Sequence, residues 1–498
     1  MQTGFHRTIW PAQAISGLIP NDRSAALLNV SCLNRFFAGL DDQNRREVLS
    51  LAIAPGHYYV DTQHKYGPLQ AKEEAIRLPS NIVLDLSGVT IEQVSGTEEG
   101  YCILMIDSKE NVLITNGTLL GDRATHEYQA PGHQAYAGTH EFGFGIDIRS
   151  GKNIRLDGMT IRNMTGDAVI IGGKMPAQVV GGTKSRGVFL TGCTLTHCRR
   201  QGVSIIGANG VLVEECVIEQ IGNNGENDPG TAPGACIDIE SELDWDNENI
   251  VIRNNTRLHG GTVRYKDRNT GTEKDVAGAA VIVSKGAQYA EINMEAPTGV
   301  IIEDNPDLKG RIAIICGTGT QVRNNNIRDG GIYAVDSPFS TKHTVIENNT
   351  IENAGIQVWN TWSVTVTGNK ITDGDIRLSN VSGAVTGNEL YQLSAGNIPK
   401  IVFYGEGWEQ NTASDYFRIY EDANSCINTN GAAVSYTGFF DISPLYINNA
   451  QNTEQCHIWS TSYFSRPQQP VIDYVAAVKK AADENFTEFA YEDIVPSS

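Results

Sequence analysis

The chain has 498 residues, a formal net charge of −20 and 40% hydrophobic residues. That length can bury a sizeable elongated core, and no run approaches the roughly 18 to 20 apolar residues that span a bilayer. An acidic excess of this size disfavours nucleic acid or an anionic membrane as partner, because neutralising phosphates takes clustered Lys and Arg.

Met1 to Pro20 lack the basic stretch and apolar core of a secretory signal, so none is expected. The nine cysteines are odd in number, form no CxxC pair and show no metal-ligand spacing at Cys102, Cys198, Cys316 or Cys456. They read as small buried residues, not as a zinc site or a disulfide framework.

Residues 23 to 50 predict a polar-capped helix, followed in VLSLAIAPGHYYV by a strand pair joined at Pro55 and Gly56. Residues 1–78 are therefore assigned to a cap over the open end of a solenoid.

From 79 to 394 the chain repeats. NVLITNG (111 to 117), NIRLDGM (153 to 159), GVFLTGC (187 to 193), GVIIEDN (299 to 305) and SVTVTGN (363 to 369) are alternating strands that end in a turn. Their last position falls on Cys193 and Cys216, then on Asn255, Asn305, Asn325, Asn349, Asn369 and Asn388. Asn tolerates a left-handed bend and its amide can bond to the Asn of the next coil. About 20 residues per coil without a Leu-rich consensus predicts an all-β, right-handed parallel β-helix with three-strand coils.

A second strand recurs as GIDI (145 to 148), AVII (168 to 171), GVSI (202 to 205), CIDI (236 to 239) and AVIV (280 to 283). Strict alternation turns Ile146, Val169, Val203 and Ile237 inward. It then places Gly145, Ala168, Gly202, Cys236 and Ala280 on the outer face, beside Asp147, Ile170, Ser204, Asp238 and Ile282.

Insertions at 121 to 144, 222 to 235 and 258 to 278 precede this strand, and others at 173 to 186, 241 to 248 and 284 to 298 follow it. Long loops in a compact solenoid commonly carry function, so they are expected to wall a groove. Coils beyond 305 are near-minimal in length and read as scaffold.

Carboxylates gather in the expected groove. Asp238 and Glu240 share one side of a strand, roughly 7 Å apart at Cα. That suits a general acid and a water-activating base, which inverting glycosidases hold roughly 6.5 to 9.5 Å apart. Asp167 is the third catalytic candidate, and Glu242 extends the row. Asp147, about 14 Å below Asp238 at roughly 4.8 Å per coil, is a candidate sugar contact. Arg199, Arg200 and Gln201 offer donors for a sugar carboxylate or for a catalytic carboxylate. His140 and Glu141, with Asp122, Arg123 and His126, occupy the first long loop as base, ligand or scaffolding, and Tyr128 and Tyr136 as rings for stacking on sugars.

After 395 the chain turns aromatic-rich and aperiodic (FYGEGW, DYFRIY, YTGFF), which predicts a separate C-terminal β-rich capping or assembly domain over 395–498. Its last stretch, VIDYVAAVKKAADENF, has the apolar spacing of a helix.

In GDR (121 to 123), EFGFGIDI (141 to 148), TGDAVIIGG (165 to 173), RRQGVSI (199 to 205) and GACIDIE (234 to 240) the chain resembles the pectate-lyase-like β-helix superfamily. It is similar above all to bacteriophage tailspikes and capsule depolymerases and to related bacterial glycan-processing proteins. The resemblance implies glycan cleavage outside the cell or on a virion, by a homotrimer of acidic subunits. The NTD, GDD, GHG and RIK signatures of polygalacturonases and the DPHD motif of β-helix mannuronan epimerases are missing, which disfavours those activities.

The leading expectation is an endo-acting glycoside hydrolase on a polysaccharide, without cofactor. Its rivals are a polysaccharide lyase, in which an Arg, His or Tyr removes a proton beside a neutralised uronate and Ca²⁺ can assist, and a non-catalytic glycan-binding spike or adhesin.

Overall fold

The computed structural model describes residues 12–41, 46–64, 74–128, 140–174, 183–222, 230–242, 246–266, 272–286, 296–335, 341–379, 381–391, short strands between 401 and 460, and 469–496. It is a right-handed parallel β-helix. Three strands recur in each coil, and each pairs in parallel with its counterpart one coil away.

The first stack runs through Lys152–Asp157, Ser185–Thr191, Ala208–Glu214, Glu248–Arg253 and Thr298–Glu303. A second, of three-residue strands, runs through Thr160–Arg162, Thr194–Thr196 and Val217–Glu219. The third contains Phe142–Arg149, Asp167–Gly172, Gln201–Ile205, Ile237–Ser241 and Ala279–Lys285. Inward Ile, Val and Leu from all three fill one continuous core, the closed solution to sheets buried on their inner face.

The asparagine ladder is present, with a change in its physics. Each rung's backbone N–H and side-chain amide donate to the Oδ1 of the next, from Asn255 to Asn305, Asn325, Asn349, Asn369 and Asn388, at 2.8–3.2 Å. The left-handed backbone lies one residue earlier, at Asn254, Asp304, Asn324, Asn348, Gly368 and Gly387. The rung is Asn for its amide, which satisfies buried backbone that water cannot reach.

Both ends differ from expectation. Leu49–Ile53 and Gly56–Val60 do not pair with each other. They join different stacks, against Ile82–Asp85 and Val89–Gln93, so coil pairing begins well before residue 79. The helix Ala26–Asp41 caps that end through Val30, Leu33, Phe37 and Leu40.

Beyond 395, Ile401–Tyr404, Phe417–Asp422, Ser425–Ile427 and Cys456–Ser460 extend the three stacks instead of opening a separate sheet. Asn424 supplies a further rung to Asn388. The repeat was hidden because 36 residues separate these two rungs.

The predicted helix is Gln469–Glu484, and it turns back along the outside of the first stack. Val478 and Ala482 pack on Val345, and Gln321 Nε2 donates to Asp483. The segment after it continues the same way, with Phe486, Phe489 and Tyr491 covering Phe189, Leu212, Val251 and Ile301.

Candidate active site

The third stack positions the chemistry. Its strands depart from strict alternation at their start: Gly145, Ala168, Gly202, Cys236 and Ala280 face inward, together with the residue that follows each. Ala168, Cys236 and Ala280 belong to the core. A Cβ on Gly145 would lie 2.5 Å from Ile161 Cγ2, and one on Gly202 would lie 2.4 Å from Ile218 Cγ2. The small residues expected on the outer face are small because they turn an interior corner. Phe144 and the register pair Asp167 and Gln201 face outward in their place, beside the column Asp147, Ile170, Ser204, Asp238 and Ile282.

Much of that floor is covered. Phe144, Ile170 and Ile206 form a buried cluster outside the coil, and Asp238 is only 5% exposed. Glu240 and Glu242, further along the same strand, are half-buried.

A polar network runs across three coils. Arg200 Nη1 donates to Asp167 Oδ2 at 2.9 Å and to Gln201 Oε1 at 3.0 Å. Ser204 Oγ lies 2.7 Å from the same Asp167 oxygen and also contacts Gln201 Oε1. Because a guanidinium only donates, it fixes the amide with its oxygen toward Arg200. The Gln201 Nε2 amide therefore donates to Asp238 Oδ2. That leaves Asp238 Oδ1, buried and without a protein partner among the described residues, as the oxygen that can carry a proton.

The electrostatics follow from burial. Asp238 is pushed up to about 8 by loss of solvent and by Glu240, against the opposing pull of Arg200 and the Gln201 amide. Burial also raises Glu240, with Arg200 opposing. Glu242 goes up to about 7 through burial and the charge of Glu240. Asp167 is raised by burial, which outweighs Arg200 and Ser204. Burial alone would favour neutral Arg200, but Asp167, Glu141, Asp238 and Glu240 together hold it firmly charged. One cation thus faces a row of acids that burial raises, Asp238 furthest among them.

Asp167, Arg200, Gln201, Asp238, Glu240 and Glu242 therefore come together, with Glu141 Oε2 at 3.9 Å from Arg200 Nε. Ser204, in the outward column but given no role from sequence, completes the network; its position between Asp167 and Asp238 was the available signal. Asp167 is fully enclosed, so it acts on Arg200 and Ser204 and does not present itself to a sugar.

Three other candidates lie elsewhere. Asp147 is buried against Arg149, whose Nε donates to it at 2.6 Å, which withdraws it from sugar contact. Arg199 is fully buried, donating to the His140 carbonyl at 3.0 Å beneath the Tyr128 ring. It is an internal strut, not a clamp for a sugar carboxylate. His140 belongs to a buried chain in which Asp122 Oδ2 lies 2.7 Å from His126 Nδ1, and His126 Nε2 lies 3.0 Å from His140 Nδ1. Arg123 donates to the His197 carbonyl. The described residues of this loop, Tyr128 among them, are scaffolding that leads to Glu141 beside Arg200. Tyr136 lies outside the described residues. No group of three or more His, Cys, Asp or Glu side chains that could hold a metal occurs among the described residues.

No protein-family model matches the chain. It is 28% identical over 324 residues to the uncharacterized protein YclG of Bacillus subtilis, covering 61% of this chain and 53% of that one. It is 27% identical over 297 residues to the SPbeta prophage-derived uncharacterized protein YorA of the same organism, covering 56% and 48%. The chain thus spans about half the length of the curated relatives it matches.

Among solved structures it is similar to the tailspike of Escherichia coli bacteriophage HK620 in complex with a pentasaccharide, at 12% identity and a TM-score of 0.45, covering 82% of this chain and 68% of that one. It is also similar to the A-module of the Azotobacter vinelandii mannuronan C-5 epimerase AlgE4, at 10% and 0.45, covering 80% and 90%. A third is a mannuronic acid specific polysaccharide family 6 lyase from human gut microbiota, at 13% and 0.41, covering 92% and 97%.

Proposed function

We propose that this chain is a polysaccharide-degrading enzyme, an endo-acting glycoside hydrolase, with Asp238 as general acid and Glu240 as the carboxylate that activates water. The observation that carries this reading is Asp238 itself: a carboxylic acid kept protonated into the neutral range, one strand step from a second carboxylate. An acid with a pKa near the working pH is what protonation of a glycosidic oxygen requires. Gln201, itself held by Ser204 and Arg200, fixes the orientation of Asp238, and the charge of Arg200 opposes the rise in the neighbouring acids. The polysaccharide is the substrate, acted on outside the cell or on a virion surface by a homotrimer.

A lyase would need a neutral base. Arg200, the cation in the network, is held charged by its four carboxylate neighbours, which disfavours it in that role.

The test is to digest a panel of bacterial surface polysaccharides and analyse product size and mass. New reducing ends without the ultraviolet absorbance of an unsaturated uronate support the hydrolase. Growth of that absorbance selects the lyase. Binding without any change in chain length selects an adhesin. Asp238→Asn and Glu240→Gln are expected to abolish cleavage. A loss in Glu242→Gln as deep as that in Asp238→Asn would move the acid along the row.

A further inference from the structure

We infer that the coils beyond residue 305 carry a second glycan-contact surface, a platform of exposed apolar and aromatic side chains centred on Trp359 that continues the carboxylate row along the solenoid axis. This rests on the proposed function and names the part of a long polysaccharide chain that lies away from the reacting bond.

Register is the first support. Asp238 pairs with Ile282, Ile282 with Ala313, Ala313 with Tyr333, and Tyr333 with Gln357. The neighbouring outward column starts at Glu240, which pairs with Ser284, and ends where Val335 pairs with Trp359. Ile315 follows Ile314, which pairs with both Val283 and Ala334, so it falls in line between Ser284 and Val335. The two columns thus pass from the acids to the platform without a break. Trp359 stands four coils from Glu240, roughly 19 Å at about 4.8 Å per coil.

Exposure is the second. Ile282 and Ala313 are each only 6% exposed, whereas Ile315 is 49% and Trp359 41% exposed; Tyr333, Val335 and Gln357 are half-buried. Ile315, Val335 and Trp359 succeed one another in a single column, so their apolar groups are contiguous and not scattered, as those of a contact surface are. Their chemistry suits a sugar chain: the C–H face of a pyranose stacks on an aromatic ring. The Gln357 amide stands beside them as a donor to hydroxyl or carboxylate oxygens, and Arg377, next in the Tyr333 column, is held there by Asp375 at 2.9 Å. A linear glycan laid along the axis would meet the acids and the platform together, so the occupant is an extended polysaccharide and not a second copy of the chain.

The experiment uses the full chain carrying Asp238→Asn, so that binding is read apart from turnover. Native gels containing polygalacturonate, alginate, hyaluronan, xanthan, gellan or dextran report retardation. The expected result is that at least one polymer retards this protein, that adding Trp359→Ala weakens the apparent affinity by about tenfold, and that Trp359→Phe restores part of it. The same polymer should protect tryptophan fluorescence from acrylamide when Trp359 is present and protect it less in Trp359→Phe.

Retardation unchanged by Trp359→Ala would overturn the platform while leaving the carboxylate site to stand or fall on cleavage by the unsubstituted chain. A change in particle mass by light scattering on Trp359→Ala, without loss of retardation, would assign the face to contact between copies. Retardation by no polymer would overturn the platform, whereas cleavage that survived Asp238→Asn would sink the proposed function alone. An unchanged circular dichroism spectrum and melting temperature for Trp359→Ala, expected from its exposure, would show that a binding loss is local.

Discussion

The coils between about residues 121 and 300 and those beyond 305 are built on one backbone plan, yet they handle buried polarity in opposite ways. In the later coils it lies at the bends, where each Asn amide bonds to the next and every rung resembles its neighbour. The earlier coils put Cys at two bends, Cys193 and Cys216, both buried in the core. Their costly polarity is on the outer face instead, where Asp167, Arg200, Gln201, Ser204 and Asp238 are joined in one network. A repetitive ladder holds register and satisfies buried backbone, and each rung does the same work as the next. An irregular network bought at the expense of solvation raises its acids and keeps Asp238 protonated near neutral pH. Insertions in the sequence accompany the second arrangement, whereas the third stack of the later coils leaves Ile315 and Trp359 in water.

The strongest way to break this contrast is to neutralise the acids. Asp238→Asn or Glu240→Gln should lower turnover of the cleaved polysaccharide by about a thousandfold, while Asn349→Ala, far from the row, should reduce it only as far as it reduces the folded fraction. Single-turnover product analysis reads both. With Asp238 as acid, activity should fall as pH rises past about 8.

Next in size is the ladder. Asn349 donates to the Val322 carbonyl at 2.9 Å and to Asn369 Oδ1, and accepts from Asn325. Asn349→Ala strands these partners and should cost about 2–4 kcal/mol. Cys216→Ala, at an equivalent bend of the earlier coils, should cost about 1 kcal/mol. Denaturant unfolding compares the two, and equal losses would erase the distinction.

A subtler measurement concerns pH and stability. The folded-state pKa of Asp238 lies above its ordinary value of 3.8, so the native chain binds the proton more tightly than the unfolded one. Its contribution is complete below about pH 4 and is lost as pH rises through about 8. Asp238→Asn should therefore change the melting temperature little at pH 4 and raise it by several degrees at pH 8. A rise of equal size at both would remove the protonated acid from the account.

The smallest expected effect is at the C-terminal strap. Phe489 packs on Phe189 beside Phe486, so Phe489→Ala should cost about 1–2 kcal/mol and hasten proteolytic removal of residues 485–496.

Legibility followed periodicity. The Asn rungs, the inward Ile and Val of each coil and the outward column through Asp147, Ser204 and Asp238 could all be read because spacing determines them. What failed did so where spacing carries no information. Strict alternation puts Gly145 and Gly202 outside, but the strand enters through a corner at which two consecutive residues face in. Nothing in the order of residues shows that Arg149 closes over Asp147. Continuation of the coils past 395 was lost because 36 residues separate Asn388 from Asn424.

By itself, then, the sequence determined the solenoid, its register and the face on which the acids stand, since the period of two and the recurrence of the coil are written in the order of residues. Only the tertiary structure decided which acids lose their water, which arginine serves them and which is a buried strut, and where the face reopens at Trp359. Those properties depend on residues separated by tens of positions that meet only when the coils stack.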